Sequence, residues 1–161
     1  MMLSFIEGLV FSFLVLLVCV IGIANGPENM VFFYEKEVRQ RVVEMKLITE
    51  EKISFHEMLF KITIIPCFVF IIYAVYKING TRGFLKGFIQ LLIIFMTEGL
   101  FDRLFIDWYW VGHTKAWNIP RTDDLKPYIN KKTMQRKWLG TLVGYPILAA
   151  IIAAIMTLLL K

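Results

Sequence analysis

The stretch that decides the fold of this chain reads Gly87-Phe-Ile-Gln-Leu-Leu-Ile-Ile-Phe-Met-Thr-Glu98-Gly-Leu-Phe-Asp102-Arg103-Leu-Phe-Ile-Asp107-Trp-Tyr-Trp110. It is long enough to cross a membrane, because a spanning helix needs about 20 mostly apolar residues. It also carries four charges where a membrane helix usually has none. A charged side chain inside a bilayer costs about 2.5–3.5 kcal/mol on insertion scales, so such residues mark a pathway, a ligand site or an internal ion pair.

The composition of the whole chain also indicates a membrane protein. Its 161 residues are 58% hydrophobic and 19% charged, whereas a soluble domain is nearer half apolar and a quarter charged. The mean hydropathy is +0.64. The net charge is +5, and the basic residues flank apolar stretches, so an anionic membrane surface explains them better than nucleic acid does. We therefore expect lipid headgroups as partners and no nucleic acid.

The apolar stretches predict an all-α integral membrane protein with a single transmembrane domain over residues 1–161. We predict four spans, at 8–27, 58–76, 84–110 and 138–160. Six of the eighteen Lys and Arg residues lie in or beside segment 28–57, and seven lie in segment 111–137. Because cytoplasmic loops are rich in Lys and Arg, both segments are predicted to be cytoplasmic, and both termini extracytoplasmic.

The first connecting segment is predicted to hold one amphipathic helix over 28–47, lying on the membrane or on a partner helix. Its apolar face would be formed by Val31, Val38, Val42 and Met45. Glu35 with Arg39, and Glu37 with Arg41, have the i,i+4 spacing of stabilising ion pairs. Thr49 is a predicted N-cap, beginning a helix that runs into the second span.

The charges of the third span allow two interpretations. At about 100° per residue, Glu98 and Asp102 share one face, while Arg103 and Asp107 form an i,i+4 pair on the roughly opposite face. Glu98 lies roughly 15 Å from Trp108, near the middle of the bilayer. Either these groups form a polar site, or the Arg103–Asp107 pair orients the helix and Glu98 donates a neutral hydrogen bond between helices.

The segment after the third span adds basic and aromatic groups. Its large apolar side chains predict packing on the membrane face or on the first cytoplasmic helix. Its basic groups either contact an anionic or phosphorylated ligand or are topology signals that touch lipid phosphates. The side chains predicted to bind a ligand are Glu98, Asp102, Arg103, Asp107, Trp110, His113, Lys115 and Arg121.

Catalytic and cofactor motifs are missing from the sequence. It has no nucleophile elbow, Walker A motif, dinucleotide-binding glycine pattern or His-Glu-x-x-His. Only two histidines and two cysteines occur, and their spacing matches no metal-ligand motif. No metal site is predicted, the cofactor is left unassigned, and the sequence does not decide whether the protein is an enzyme.

Three functions are compatible with these patterns. The favoured one is binding or transport of a ligand through the polar site on the third span. That ligand would be a cation, a proton-coupled solute, or an anionic or lipid-like molecule. The second is a membrane-embedded enzyme on a lipophilic substrate, with Asp102, Asp107 and His113 as acid–base groups. The third is an assembly subunit that docks a partner.

Small residues four apart, as in Gly140-x-x-x-Gly144, predict close helix packing within the chain or in a homo-oligomer.

Overall fold

A computed structural model describes residues 1–160 of the chain. That part is all-helical, with 81% of its residues in helices and no strand. Four helices are long and apolar enough to cross a membrane, namely Met2–Ile23, Glu50–Ile78, Phe84–Val111 and Lys131–Leu159. The all-α class and the four apolar helices are therefore confirmed, although the helices extend beyond the predicted apolar spans.

Six α-helices and several tighter or wider helical turns make up these elements. They are α1 (Met2–Ile23), α2 (Lys36–Glu44), α3 (Glu50–Tyr73), α4 (Phe84–Phe101), α5 (Lys131–Leu139) and α6 (Tyr145–Leu159). π-Helical turns over Ala74–Ile78, Asp102–Val111 and Gly140–Gly144 continue α3, α4 and α5. Short 3-10 helices occupy Pro27–Phe33 and Asp123–Leu125.

The start of α3 agrees with its predicted cap. The Thr49 side chain accepts a hydrogen bond from the Lys52 amide at 3.3 Å, which satisfies one of the free N–H groups of the first turn. The helix then continues through Pro66 to Tyr73. The prediction that one helix runs from Thr49 into the second apolar stretch is confirmed.

The prediction of one continuous helix over 28–47 is wrong. Tyr34 and Glu35 are extended, and they separate the 3-10 helix Pro27–Phe33 from α2. The predicted ion pairs are also replaced, since Arg39 binds Glu50 and Arg41 binds Asp124. Both arginines therefore bind residues outside their own helix. The apolar positions Val31, Val38 and Val42 are nevertheless buried.

The helix α4 is the centre of the bundle. It packs most extensively against α1 and α6, while α3 packs against α1 and the 3-10 helix Pro27–Phe33. Glycines allow the close approaches: a Cβ on Gly8 would lie 2.6 Å from Thr97 Cβ, and one on Gly99 would lie 2.7 Å from Thr141 Cγ2. Small residues at such crossings are typical of membrane helix pairs.

Much apolar surface stays on the outside of the bundle. Of the 18 most apolar consecutive residues in Glu50–Ile78, only 17% are buried, and the corresponding share in Lys131–Leu159 is 11%. Ala149 and Ala153 are fully buried. By contrast, a Cβ added to Gly140 or Gly144 would meet no atom within 4 Å, so the face that these two glycines share is open. Contiguous apolar surface of this extent needs a cover, such as lipid or another protein.

Candidate ligand-binding site

Three charged side chains of the third apolar helix, Asp102, Arg103 and Asp107, meet in one partly buried network. The Arg103 guanidinium donates to the carboxylates of both Asp102 and Asp107. Lys137 Nζ, from α5, donates to Asp107 Oδ1 at 2.8 Å. Arg103 is 8% exposed and Asp107 is 5% exposed. The predicted Arg103–Asp107 pair is confirmed, and Lys137 is a partner that the sequence did not indicate.

The predicted separation of the charges onto two opposite faces is wrong. Asp102 shares the guanidinium of Arg103 with Asp107, so all three side chains belong to one cluster. The prediction assumed a regular α-helix, but the backbone from Asp102 to Val111 is π-helical. Its i→i+5 hydrogen bonds widen the turn and change the angle between successive side chains. Such π-helical segments are frequent at functional sites.

Glu98 lies apart from this network, one helical turn before it. Its Oε2 accepts a hydrogen bond of 2.9 Å from the Tyr145 hydroxyl of α6, and the residue is only 3% exposed. Glu98 therefore links α4 to α6, as the interhelical alternative predicted, although here the carboxyl oxygen accepts the bond. Nothing in the apolar sequence around Tyr145 had pointed to this contact.

The segment that follows the third apolar helix, residues 112–130, packs over the network and is here called the roof. The Tyr34 hydroxyl donates to the Trp117 carbonyl at 3.0 Å, and the rings of Tyr34 and Tyr128 lie 4.7 Å apart. The Glu35 amide donates to the Tyr128 carbonyl at 3.1 Å. Burial raises the pKa of the Tyr34 phenol above its ordinary value, with Tyr128 adding to the effect, so this hydroxyl remains a donor.

The roof also has its own internal order. The hydroxyls of Thr122 and Tyr128 lie 2.7 Å apart, and Thr122 Oγ1 donates to the Ile119 carbonyl at 2.8 Å. An exposed ion pair between Arg41 and Asp124 adds a further link to α2. Of the two predicted packing surfaces for this segment, the structure shows contacts with the first connecting segment.

A large cleft, here called the outer cleft, lies between the roof, the end of the third helix and α5. Its volume is about 660 Å³. Its polar lining comes from Asp107, His113, Thr114, Lys115, Asn118, Lys126 and Lys131. Its apolar lining includes Trp108, Val111, Pro127, Ile129 and Met134. The cleft thus offers several cationic side chains beside apolar surface.

A smaller cavity, here called the inner chamber, lies beneath the roof. Its volume is about 150 Å³. The charged and polar side chains that line it are Cys19, Tyr34, Asp102, Arg103, Asp107, Trp117 and Lys137. Asp107, Val111 and Ile129 line both cavities and form the wall between them. The two cavities are therefore adjacent compartments at the same end of the bundle.

Five of the predicted site residues line one or both of these cavities. His113 and Lys115 line the outer cleft, and Asp102 and Arg103 line the inner chamber. Asp107 lines both. The structure therefore brings together the charged pair of the third helix and the basic groups that follow it.

The other three predicted site residues, Glu98, Trp110 and Arg121, line neither cavity. Trp110 packs edge-on against Trp117, with ring centroids 5.1 Å apart. Arg121 is exposed at a turn with φ +62°. These side chains support the bundle or face outward, and they are not part of either compartment.

Lys137, Trp117 and Tyr34 are the important residues that the sequence did not single out. Lys137 directly precedes the fourth apolar stretch, where a basic residue is an ordinary topology signal. Trp117 was considered only among the large apolar side chains of its segment, and no role was predicted for Tyr34. Their position beside the network depends on contacts between the two connecting segments.

No cluster of three or more His, Cys, Asp or Glu side chains in residues 1–160 is arranged to hold a metal ion. Comparison of the chain with protein-family models, with curated proteins and with solved structures gives no match. Function is therefore inferred from the charges, cavities and contacts of this chain alone.

Proposed function

We propose that this protein is a multi-pass membrane protein that binds an anionic, lipid-like ligand in the outer cleft. The observation that carries the proposal is the combination of cationic and apolar side chains in one cleft, directly beside a partly buried network of four charges. In this proposal segments 28–57 and 111–137 face the cytoplasm, and both termini face outward.

The exposed surface of the helices supports the membrane part of the proposal. Large apolar side chains such as Ile65, Val69 and Leu158 are exposed along helices that are long enough to cross a bilayer. Glu98, Arg103 and Asp107 of the third apolar helix, by contrast, are buried inside the bundle or under its roof. Lipid tails would cover the first set of residues, and the protein itself covers the second.

The charge distribution favours an anionic ligand over a cation. Asp102 and Asp107 are already bound by Arg103 and Lys137, so their carboxylates are not free for a metal ion. Lys115 and Lys131, in the lining of the outer cleft, have no ion-pair partner within residues 1–160. Unpaired ammonium groups at a cleft attract phosphate or carboxylate.

The size and lining of the cleft favour an amphiphile. A volume of about 660 Å³ falls within the range of ligand pockets, roughly 300–1,000 Å³. Trp108, Val111 and Met134 give it an apolar side, which suits the first carbons of an acyl chain. A small inorganic anion would leave that surface without a partner.

The packing of the bundle supports binding rather than passage through a single chain. The rings of Phe11, Phe68 and Phe95, each near the middle of its helix, lie 5.0–6.3 Å from one another. They fill the core between the charged network and the opposite end.

An acid–base function for Asp102 and Asp107 has less support, because cationic partners already bind both carboxylates.

The proposal is tested by native mass spectrometry of the detergent-purified protein with phosphatidylglycerol and phosphatidylcholine. The test variant is Lys115→Gln/Lys131→Gln. The matched control, Lys52→Gln/Lys86→Gln, removes the same charge from exposed positions outside the cleft. At about 1 kcal/mol for each lysine near an anionic headgroup, the test variant should lose roughly thirtyfold in affinity for phosphatidylglycerol.

Equal binding of the two lipids by the wild type, or equal losses in the test and control variants, would contradict the proposal. A copurifying protein instead of a lipid would favour the assembly-subunit function. The same spectra report subunit number, which tests the expected homo-oligomer.

A further inference from the structure

Two residues that line the inner chamber, Arg103 and Trp117, each carry a buried N–H group without an acceptor. Arg103 Nε and Trp117 Nε1 are both inaccessible, and neither has a hydrogen-bond partner within residues 1–160. Arg103 is 8% exposed and Trp117 is 1% exposed. Both residues line the same small cavity.

Unsatisfied donors of this kind call for a physical explanation. A buried indole N–H usually has an acceptor, and the great majority of buried polar groups are hydrogen-bonded in folded proteins. The terminal nitrogens of Arg103 are engaged by Asp102 and Asp107, which leaves only its Nε free. A ligand that supplies an acceptor oxygen inside the chamber would satisfy the remaining donors.

The charges of the chamber specify the type of group. The two cations Arg103 and Lys137 are balanced by the two carboxylates, so the chamber offers hydrogen-bond donors more than net charge. Its other walls are apolar, formed by Val15, Phe33, Phe60 and Ile106. A carboxyl group attached to a short hydrocarbon fits both parts of this lining.

The volume of the chamber sets the size of the group. About 150 Å³ equals roughly five water molecules at about 30 Å³ each, which admits a carboxyl group with a few carbons and excludes a whole lipid. The wall shared with the outer cleft places this group next to any headgroup bound there.

We propose that the inner chamber is a second subsite that binds a carboxyl oxygen, with Arg103 Nε and Trp117 Nε1 as the donors. The oxygen belongs either to an ester carbonyl of the lipid whose headgroup occupies the outer cleft or to a free short carboxylate. The lipid form rests on the proposed function above, whereas the free-acid form does not.

The lipid form is tested with two phosphatidylglycerols that share a headgroup, one with ester-linked and one with ether-linked chains. The wild type should bind the ester lipid about fivefold more tightly, the effect of one hydrogen bond. Trp117→Phe keeps an aromatic ring but removes the N–H, and should abolish this preference. Trp138→Phe is the matched control, because Trp138 lines neither cavity, and it should keep the preference.

The free-acid form is tested with butanoate, using the native thiol of Cys19 as a reporter inside the chamber. A Cys67→Ala background leaves Cys19 as the one cysteine. Butanoate should slow the modification of Cys19 by methyl methanethiosulfonate severalfold, and Trp117→Phe should remove this protection. A thiol that never reacts would show a chamber closed to small solutes and would overturn the free-acid form.

The outcomes separate the subsite from the proposed function. An ester preference lost in Trp117→Phe supports the lipid form. Protection by butanoate without any lipid binding supports the free acid and overturns the proposed function. Equal binding of ester and ether lipids together with no protection, or effects that persist in Trp117→Phe, would mean that water alone satisfies these donors and would overturn the subsite. Retained headgroup selectivity in Trp117→Phe confirms that the variant is folded.

Discussion

The two ends of the helical bundle each place an acidic side chain between helices, but they bind it differently. At one end, Asp107 accepts from the cations Arg103 and Lys137 under a packed roof. At the other end, Glu7 of α1 accepts one hydrogen bond of 2.8 Å from the Asn79 amide, which also reaches Gln90 at 3.2 Å. One end therefore uses an ion network, and the other uses a single neutral amide donor, that of Asn79.

This difference supports the proposed ligand site at the Asp107 end. An amide link is enough to join helices, as the Glu7 end demonstrates. Buried ion pairs are costly to desolvate, and replacing them by apolar residues is often neutral or stabilising. We therefore interpret the network of four charges beside a cationic cleft as support for the proposed ligand site.

The largest effect is expected for Arg103→Met, which removes the centre of the network. Asp102 loses its cation and Asp107 loses one of two, so the free energy of unfolding should fall by about 3–5 kcal/mol. The measurement is thermal unfolding in detergent micelles. The control is Arg82→Met at the opposite end, where Arg82 donates only to the Tyr76 and Thr81 carbonyls. Equal losses in the free energy of unfolding for the two variants would contradict the difference between the two ends.

A smaller loss is expected for Lys137→Met, because Asp107 keeps Arg103 as its partner. Removing one hydrogen bond to a charged group should cost about 1.5–3 kcal/mol. Lys132→Met on the same helix replaces an exposed lysine and should change the free energy of unfolding by about 0.5 kcal/mol or less. Comparable unfolding temperatures for both variants would show that the Lys137–Asp107 bond contributes nothing.

Two tyrosine hydroxyls, one with a hydrogen-bond partner and one without, provide a further test of the two ends. Tyr145→Phe removes the donor to Glu98 and should cost about 0.6–1.7 kcal/mol, the range for interhelical hydrogen bonds in membranes. Tyr76→Phe, toward the Glu7 end, removes a buried hydroxyl that has no partner within residues 1–160, so its unfolding temperature should stay the same or rise. The reverse order would contradict the assigned hydrogen bond.

The smallest effect is expected for Glu7→Gln. The new side chain still presents an oxygen that can accept from Asn79, so the free energy of unfolding should change by about 0.5 kcal/mol or less. The same micelle measurement checks this. A loss as large as that of Lys137→Met would mean that Glu7 acts as a charge and that the two ends are alike.

Much of the fold could be predicted because it depends on local properties. Long apolar runs predicted the number of long apolar helices, and Thr49 with its following acids predicted the start of α3. The predicted helix over 28–47 failed because Tyr34 is extended so that its hydroxyl can reach Trp117, 83 residues away. Helical periodicity cannot anticipate such a partner.

The candidate site could be predicted only in part, for the same reason. The Arg103–Asp107 pair follows from i,i+4 spacing, but the π-helical backbone that adds Asp102 does not. Lys137 lies 30 residues from Asp107, and Tyr145 lies 47 residues from Glu98. Neither distance along the chain carries a signal of contact.

By itself, then, the sequence determined the all-helical class, the four apolar helices and the concentration of charge in the third. These follow from composition and from spacings within one helix. Only the tertiary packing joins Lys137 to the charges of the third helix in one network, places the segment after that helix over the network, and buries Arg103 Nε and Trp117 Nε1 without acceptors. Burial and partnership exist only once distant segments pack together, so no local pattern encodes them.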